Sequence, residues 1–300
     1  MTVTAADDAP RPPAGDGFSD AVTIAFGDER AALYGIARLG LADGGASGLA
    51  ILFHRGEPVA VRAEGGVEAA APRSWDEVSA AGLDTTVVEP LRAWRLSYAA
   101  DDASLDLELN AVGAIAELDP ASPLAELGGM AGFEQALRVT GAATVRGQRI
   151  AVDGLGQRGR SWGTPDWGRM ALARTVGAWL GDDLAVSLSG IRPARASDHE
   201  QERIAATILD RDPESDAPRA VAVVDPRLST TYDGEGHQRA AGLELFVDEE
   251  AMPRRAAGEV VCGTTLDLGR LRLQCAFFRW RMEGRTGVGR YDVLARTPGS

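Results

Sequence analysis

Asp166 is the first of two carboxylates placed to act as a proton donor. It lies between Pro165 and Trp167, and burial against an indole ring would raise the pKa of its carboxyl group. A carboxylic acid held in this way can serve as a general acid near neutral pH. The alternative is a structural ion pair with Arg158 or Arg160 at a domain junction.

Glu134 is the second carboxylate, and Gln135 follows it. Both belong to the apolar run Phe133–Val145, which has the pattern of a β-strand, and successive side chains of a strand point to opposite faces. One of the two therefore points inward, where a carboxylate is costly unless it is paired or used. We expect this pair to contribute to a pocket, Glu134 as an acid and Gln135 as a substrate contact.

Arginine and tryptophan side chains supply hydrogen-bond donors and apolar walls for the same chemistry. Arg160 can activate a carbonyl group by donating a hydrogen bond, with Arg158 as a substrate contact, or it can form a salt bridge. Indole rings can line a cavity and stabilise a developing cation, and each can equally be an ordinary core residue. The tryptophans predicted to contact substrate are Trp94, Trp162, Trp167, Trp179 and Trp280.

The basic residues exclude several kinds of chemistry. All 31 are arginines, and the absence of lysine excludes Schiff-base enzymes, pyridoxal phosphate enzymes and the lysine-bearing phosphate loop. The formal net charge of −13 at pH 7 would repel a polyanion. We therefore expect no nucleic-acid partner.

Cysteine and histidine are too few and too scattered to suggest a metal site. Cys262 and Cys275 flank a predicted hairpin turn at Asp267–Arg270. A two-residue loop would place them opposite each other, whereas a glycine bulge would shift the register, so the sequence leaves their pairing open. The histidines, far apart in sequence, are His54, His199 and His237. We expect neither a metal nor an organic cofactor.

The hydropathy pattern predicts a soluble chain. No apolar run approaches the roughly 18 residues that span a bilayer, so we expect no integral membrane segment. Residues 1–17 contain acids and prolines where a secretory signal has a basic segment and an apolar stretch. These features predict a disordered N-terminal tail on a cytoplasmic protein.

Short apolar or alternating runs, bounded by Gly, Asp or Pro, follow one another along the chain. In one of them Trp94, Leu96 and Tyr98 alternate with polar residues, as in a strand with one buried face. More than a dozen such runs predict an all-β chain of antiparallel barrels or sandwiches. Only residues 74–81 and 123–129 favour short helices.

The length predicts two domains, since 300 residues is about twice a typical domain of roughly 150. A polar, glycine-punctuated stretch near residues 156–165 separates two sets of strands. The predicted division is a tail at 1–17, a β domain at 18–155 and a second β domain at 156–300.

The segment Asp153–Trp167 resembles the signature of the carotenoid 1,2-hydratase (hydroxyneurosporene synthase) superfamily, in which Gly-x-Gly-x-Arg-Asp-His-Ser-Trp-Gly is followed by Asp-Trp. Further similar segments are Phe133–Gln135, Arg138–Gly141, Val152–Gly154, Phe277–Trp280 and Gly284–Tyr291. The resemblance implies two lipocalin-like antiparallel β-barrels or half-barrels packed together, with an apolar ligand held where they meet. It also implies a cofactor-free enzyme, related by fold to tocopherol cyclase and to lipocalin-like Diels–Alder cyclases of natural-product biosynthesis.

One departure from that signature bears on the reaction. Where the family has an Asp-His pair, this chain has Gly159 and Arg160, and arginine stays protonated throughout the working pH range. Hydration of an alkene needs a proton donor, so the departure favours a cyclase that holds the reacting ends of a polyene, terpenoid or polyketide together. The alternatives are a hydratase or proton-initiated cyclase or isomerase that uses Asp166 or Glu134, and a non-catalytic carrier.

Overall fold

The computed structural model describes residues 3–43, 45–69, 71–100, 102–196 and 201–297. Its eighteen strands form two nine-stranded antiparallel sheets, and each sheet is curled into a half-barrel. The all-β prediction is therefore confirmed. Alternation of apolar and polar residues is a local signal, and antiparallel strands with one core-facing side express it directly.

Sheet 1 is built from the first nine strands. They are β1 (Ser19–Asp28), β2 (Leu33–Ala42), β3 (Gly45–His54), β4 (Glu57–Glu68), β5 (Leu83–Glu89), β6 (Ala93–Ala100), β7 (Ala103–Leu118), β8 (Met130–Val145) and β9 (Gln148–Gly163). Their order in the sheet is β4-β3-β2-β1-β9-β8-β7-β6-β5. The first and last strands thus pair in the middle of the sheet.

Sheet 2 repeats this order strand for strand. It contains β10 (Met170–Trp179), β11 (Ala185–Pro193), β12 (Arg203–Arg211), β13 (Pro218–Ala222), β14 (Asp225–Tyr232), β15 (Gln238–Phe246), β16 (Arg254–Asp267), β17 (Leu271–Met282) and β18 (Arg285–Arg296). The order is β13-β12-β11-β10-β18-β17-β16-β15-β14. Each sheet encloses its own apolar core.

Helical structure is short. The helix predicted near residues 123–129 is confirmed as α1 (Pro123–Gly128), in which the Ser122 hydroxyl accepts a hydrogen bond from the Ala125 N–H. The stretch 74–81 forms only a 3-10 turn at Trp75–Glu77, because the backbone is already extended at Val78. Ala81, with a positive φ of 56°, then turns the chain toward β5. No helix in the described ranges is long and apolar enough to cross a membrane.

The chain divides into two compact units. Unit 1 comprises Met1–Glu117 and Met130–Pro165, and unit 2 comprises Leu118–Gly129 and Asp166–Ser300. The division falls after Pro165 rather than after residue 155, because β9 continues to Gly163 while paired with β1 and β8. Residues 118–129 go with unit 2.

Residues 3–17, here called the N-terminal segment, differ from the disordered tail that the sequence predicts. Ala5–Asp8 form a 3-10 turn, and the Asp8 side chain is buried, with 2% of the residue exposed. The Asp8 carboxylate accepts hydrogen bonds from the Leu91 N–H at 2.7 Å and the Trp94 indole N–H at 3.1 Å. These contacts hold the segment against sheet 1.

Candidate functional site

Two arginines of β9 project into the interior of sheet 1. Arg158 and Arg160 are each 1% exposed, and strand alternation places them on the same face as Trp162. On β8, Gln135 stands opposite Arg158 and Phe133 opposite Arg160. The interior of an otherwise apolar half-barrel therefore contains two guanidinium groups.

Arg158 is held between an aromatic wall and polar partners. Its guanidinium carbon lies 4.2 Å from the ring centroid of Trp94 and 5.8 Å from that of Phe133. The group forms an ion pair with Asp8 and donates to the Gln135 side-chain oxygen at 3.3 Å. Burial lowers the pKa of Arg158 well below its ordinary value, and the charge of Arg160 lowers it further.

Gln135 is the inward residue of the predicted Glu134–Gln135 pair. Its amide nitrogen donates to the Leu91 carbonyl at 3.0 Å, which fixes the amide so that its oxygen faces Arg158. Leu91 also donates its N–H to Asp8. Three different donors, a guanidinium, a backbone N–H and an indole N–H, thus converge on the Asp8 carboxylate.

Arg160 has a structural role that matches the salt-bridge alternative. Its terminal nitrogens lie 2.6 and 3.2 Å from the two Asp20 oxygens, and they also donate to the carbonyls of Ala21 and Ala9. Burial lowers the pKa of Arg160, while the hydrogen bond and charge of Asp20 raise it. Both terminal nitrogens are engaged by the protein, so Arg160 is not placed to activate a substrate carbonyl.

Trp162 lies at the edge of this cluster and is half-buried. The Arg11 guanidinium stacks over its ring at 3.9 Å, and Phe133 meets it edge-on with ring centroids 6.3 Å apart. The Arg11 backbone N–H donates to Asp20 at 2.7 Å. The N-terminal segment therefore contacts Trp162 as well as Arg158 and Arg160.

Glu134 points to the other face of β8 and is half-buried. Its carboxylate lies against Gly159 of β9, where any larger residue would place a Cβ 2.6 Å from both carboxylate oxygens. The glycine that replaces the aspartate of the carotenoid hydratase signature therefore leaves room for this position of the Glu134 carboxylate. Glu134 remains a candidate acid, separate from the arginine cluster.

Asp166 does not have the predicted environment. It is exposed, and its side-chain oxygen accepts a hydrogen bond from the Gly168 N–H at 2.8 Å, closing a turn. The prediction of a buried general acid is wrong for this residue. Trp167 is half-buried and packs in unit 2 beside a small apolar cluster that includes Leu124 and Met170.

Unit 2 has a polar cluster that the sequence analysis missed, in the interior of sheet 2. The Arg174 terminal nitrogen lies 2.6 Å from the Tyr291 hydroxyl and 2.8 Å from the Tyr232 hydroxyl. Thr230 lies 3.4 Å from the same nitrogen and 2.7 Å from Tyr291. Arg174 Nε forms an ion pair with Glu202 at 2.7 Å. The available signal was an arginine within the apolar run that forms β10.

The last two predicted tryptophans lie on opposite faces of sheet 2. Trp280 is fully buried in the interior and stacks on Phe278, with ring centroids 5.6 Å apart. Trp179 faces the other way and meets Phe277 edge-on at 6.5 Å. The predicted residues that come together are those inside sheet 1: Trp94, Gln135, Arg158, Arg160 and Trp162.

Cys262 and Cys275 are buried free thiols. The loop between their strands is longer than two residues, since Asp267 pairs with Arg272, and the register places Thr264 opposite Cys275. Burial raises the pKa of the Cys262 thiol to about 12. Within the part of the chain that the structure describes, which omits His199, no group of His, Cys, Asp and Glu side chains is placed to hold a metal ion.

A family model matches residues 4–296, and its description is a domain of unknown function, DUF7064. The chain belongs to this family. A comparison with curated proteins gave no match.

Solved structures with the same fold cover nearly the whole chain. A candidate AttH from Nitrosomonas europaea has a TM-score of 0.68 at 13% identity, covering 94% of this chain and 93% of its own. Kievitone hydratase from Nectria haematococca has a TM-score of 0.65 at 12% identity, covering 98% and 93%. CghA, also solved with Sch210972, has a TM-score of 0.63 at 13% identity, covering 95% and 90%.

These likenesses confirm the predicted fold class, a lipocalin-like arrangement of two half-barrel sheets. The resemblance to carotenoid hydratases holds at the level of the fold. At 12–13% identity the solved structures do not transfer an activity to this DUF7064 protein.

Proposed function

We propose that this protein is a cofactor-free cyclase of natural-product biosynthesis that acts on an apolar polyene, terpenoid or polyketide. The fold that it shares with kievitone hydratase and CghA supports an enzyme of the hydratase or cyclase type. The single observation that favours a cyclase is the environment of Arg158 inside sheet 1.

That environment offers aromatic surface and fixed hydrogen-bond donors. Trp94 and Phe133 flank the guanidinium, and Gln135 is locked beside it. Asp8 and Asp20, two of the buried carboxylates on this face of sheet 1, are ion-paired to arginines. A paired carboxylate accepts hydrogen bonds and is a poor proton donor.

In the proposed mechanism the aromatic side chains hold the apolar substrate in a folded shape with its reacting ends in contact. The substrate then loses its conformational freedom on binding rather than in the reaction step, which can lower the activation barrier by several kcal/mol. Departure of Asp8 with the N-terminal segment would free one terminal nitrogen of Arg158 to orient or polarise an oxygen of the substrate, while Gln135 holds the other terminal nitrogen in place. Because Arg158 is buried under the N-terminal segment, that segment must move aside to admit the substrate.

A second candidate is a hydratase or a proton-initiated cyclase or isomerase, and the half-buried Glu134 carboxylate favours it. A carboxyl group that reaches a bound substrate can act as its general acid. Asp166 is not a candidate for this role, because it is exposed in a turn.

Mass spectrometry in heavy water distinguishes the candidates. The purified protein is incubated in D₂O with linear polyenes that carry a carbonyl-activated alkene, and products are compared with enzyme-free samples. A cyclase gives a product of unchanged mass without carbon-bound deuterium, whereas a hydratase adds one heavy water. A proton-initiated cyclase or isomerase incorporates deuterium at carbon. Binding of the polyene without any product would support a carrier and contradict the proposal.

A further inference from the structure

Sheet 2 contains hydroxyl groups whose hydrogens are directed away from a central cation. The Arg174 terminal nitrogen lies within hydrogen-bond distance of the oxygens of Tyr291, Tyr232 and Thr230. A guanidinium nitrogen only donates, and the two nearest oxygens, those of Tyr291 and Tyr232, match its two hydrogens as acceptors. Thr230 and Tyr291 share one hydrogen in their mutual bond at 2.7 Å. The remaining hydroxyl hydrogens, including that of Tyr232, meet no acceptor among the described residues.

The guanidinium is engaged on its other edge as well. Arg174 Nε is 2.7 Å from a Glu202 carboxylate oxygen, and the Glu202 side chain is 5% exposed. An oxygen that approached the cluster from the hydroxyl side would meet O–H donors polarised by a neighbouring cation. Such donors suit a carbonyl or enol oxygen, which gains partial negative charge without a full ionic charge.

The Tyr291 hydroxyl remains a donor over the whole physiological range. Burial raises the pKa of Tyr291 to about 12, although the charge of Arg174 opposes this effect. A phenol with this pKa is protonated at neutral pH, and so it can share its hydrogen with Thr230 or with a ligand.

Apolar surface lies beside the hydroxyl groups. The Phe278 ring is 5.6 Å from the Tyr291 ring and 5.6 Å from the Trp280 ring. The buried Trp280 indole N–H finds no acceptor among the described residues. Tyr232 is 40% exposed, whereas Tyr291, Phe278 and Trp280 are fully buried, so a ligand would reach this aromatic stack by passing Tyr232.

We propose that Tyr232, Thr230 and Tyr291 form a binding site for the carbonyl oxygen of an apolar small molecule, with Phe278 and Trp280 as its apolar wall. Arg174 is a positioning residue that orients and polarises the hydroxyl groups. This site lies wholly within unit 2, and it does not depend on the cyclase proposed for sheet 1.

The test uses Prodan, a naphthalene ketone whose fluorescence emission shifts to longer wavelength when its carbonyl accepts hydrogen bonds. The full chain is titrated with Prodan, and the titration is repeated with Thr230→Val/Tyr232→Phe and with Tyr232→Phe alone. We expect the double variant to bind about tenfold more weakly, because it lacks two hydrogen bonds. Its bound probe should emit at shorter wavelength.

Tyr98→Phe is the matched control, since it removes a buried phenol oxygen from sheet 1. Thermal melting verifies that each variant is folded. Because Tyr232 is 40% exposed, we expect Tyr232→Phe alone to fold like the wild type. Equal affinity and equal emission in wild type and in both site variants would overturn the proposal. So would a wild-type protein that fails to bind Prodan up to its solubility limit, or an effect of Tyr98→Phe as large as that of the double variant.

Discussion

Arg158 and Tyr291 occupy corresponding positions in the two sheets. Each lies on the strand of its sheet that comes last along the chain, β9 or β18. Each also follows the second glycine of a Gly-x-Gly pattern by two residues. Each is paired in register with an apolar residue of the first strand, Ile24 opposite Arg158 and Val176 opposite Tyr291. The duplicated fold therefore places a polar side chain at the same point of both interiors, a cation in one and a phenol in the other.

The glycines before these residues have a physical reason. A Cβ at Gly156 would collide with the carbonyl oxygen of Ala25, and one at Gly289 with that of Gly177. Without side chains, the last strand can approach the first closely as the sheet curls. The repeated pattern is thus a requirement of the half-barrel rather than a ligand signature.

The first prediction concerns these glycines. Gly156→Ala and Gly289→Ala should each lower the free energy of unfolding by at least about 2 kcal/mol, since the added methyl group forces backbone apart. Gly65→Ala is the control, because a Cβ there meets no atom within 4 Å and should change stability by less than about 0.5 kcal/mol. Urea denaturation measures all three. Equal stability of the three variants would show that the close approach is not needed.

The second prediction tests the buried ion pair of sheet 1. Asp8→Ala leaves the Arg158 charge buried with no carboxylate partner, and we expect a loss of about 3 to 5 kcal/mol in unfolding free energy. The double variant Asp8→Ala/Arg158→Met removes both charges and should recover part of that loss. Denaturant unfolding of the wild type, of Asp8→Ala, of Arg158→Met and of the double variant gives the coupling free energy between the two side chains. Additive effects of the two changes would contradict the pairing.

Local patterns explain why much of the fold could be predicted and the site only in part. Alternation identifies a strand such as Ala93–Ala100, in which Trp94, Leu96 and Tyr98 are buried as predicted and the residues between them are exposed. The edge strands Leu83–Glu89 and Asp225–Tyr232 carry polar and threonine-rich sequence with little burial, so their pattern gives no comparable signal.

The contacts of the site lie beyond local pattern. Asp8 and Arg158 are far apart in the sequence, and so are Arg174 and Tyr291, yet each pair is in contact. No spacing rule joins such residues, because the pairing of β10 with β18 brings Arg174 to Tyr291, and the position of the N-terminal segment against sheet 1 brings Asp8 to Arg158. The motif around Arg158 could be recognised from the sequence, whereas its carboxylate partner could not.

The third prediction follows from the buried thiols. Burial holds the pKa of Cys262 at about 12, above its usual value of 9.0, and it also raises that of Cys275. A raised pKa in the folded state favours folding fully below pH 9, and this contribution is lost as the pH rises from 9 toward 12. The unfolding free energy should therefore fall between pH 9 and 11, and less steeply in Cys262→Ala/Cys275→Ala. Parallel slopes for the two proteins would refute this assignment.

The last prediction compares specific acids with aromatic walls in turnover, once a polyene substrate is identified. Asp166→Asn should change the rate by less than about twofold, because Asp166 closes an exposed turn. Trp94→Phe should slow cyclisation about tenfold or more, since a smaller ring loosens the contact with Arg158 and with the substrate.

Glu134→Gln keeps the size of the side chain and removes its titratable proton, and a cyclase that works by holding the substrate in shape predicts only a modest effect on the rate. A loss on the order of a hundredfold in Glu134→Gln, with a normal melting temperature and a pH profile that no longer shows a carboxylate, would instead establish acid catalysis. In that case the protein would be a hydratase or a proton-initiated cyclase or isomerase, rather than a cyclase that works by holding the substrate in shape. The carbonyl-binding site of sheet 2 would be unaffected by this outcome, because the Prodan titration tests it separately.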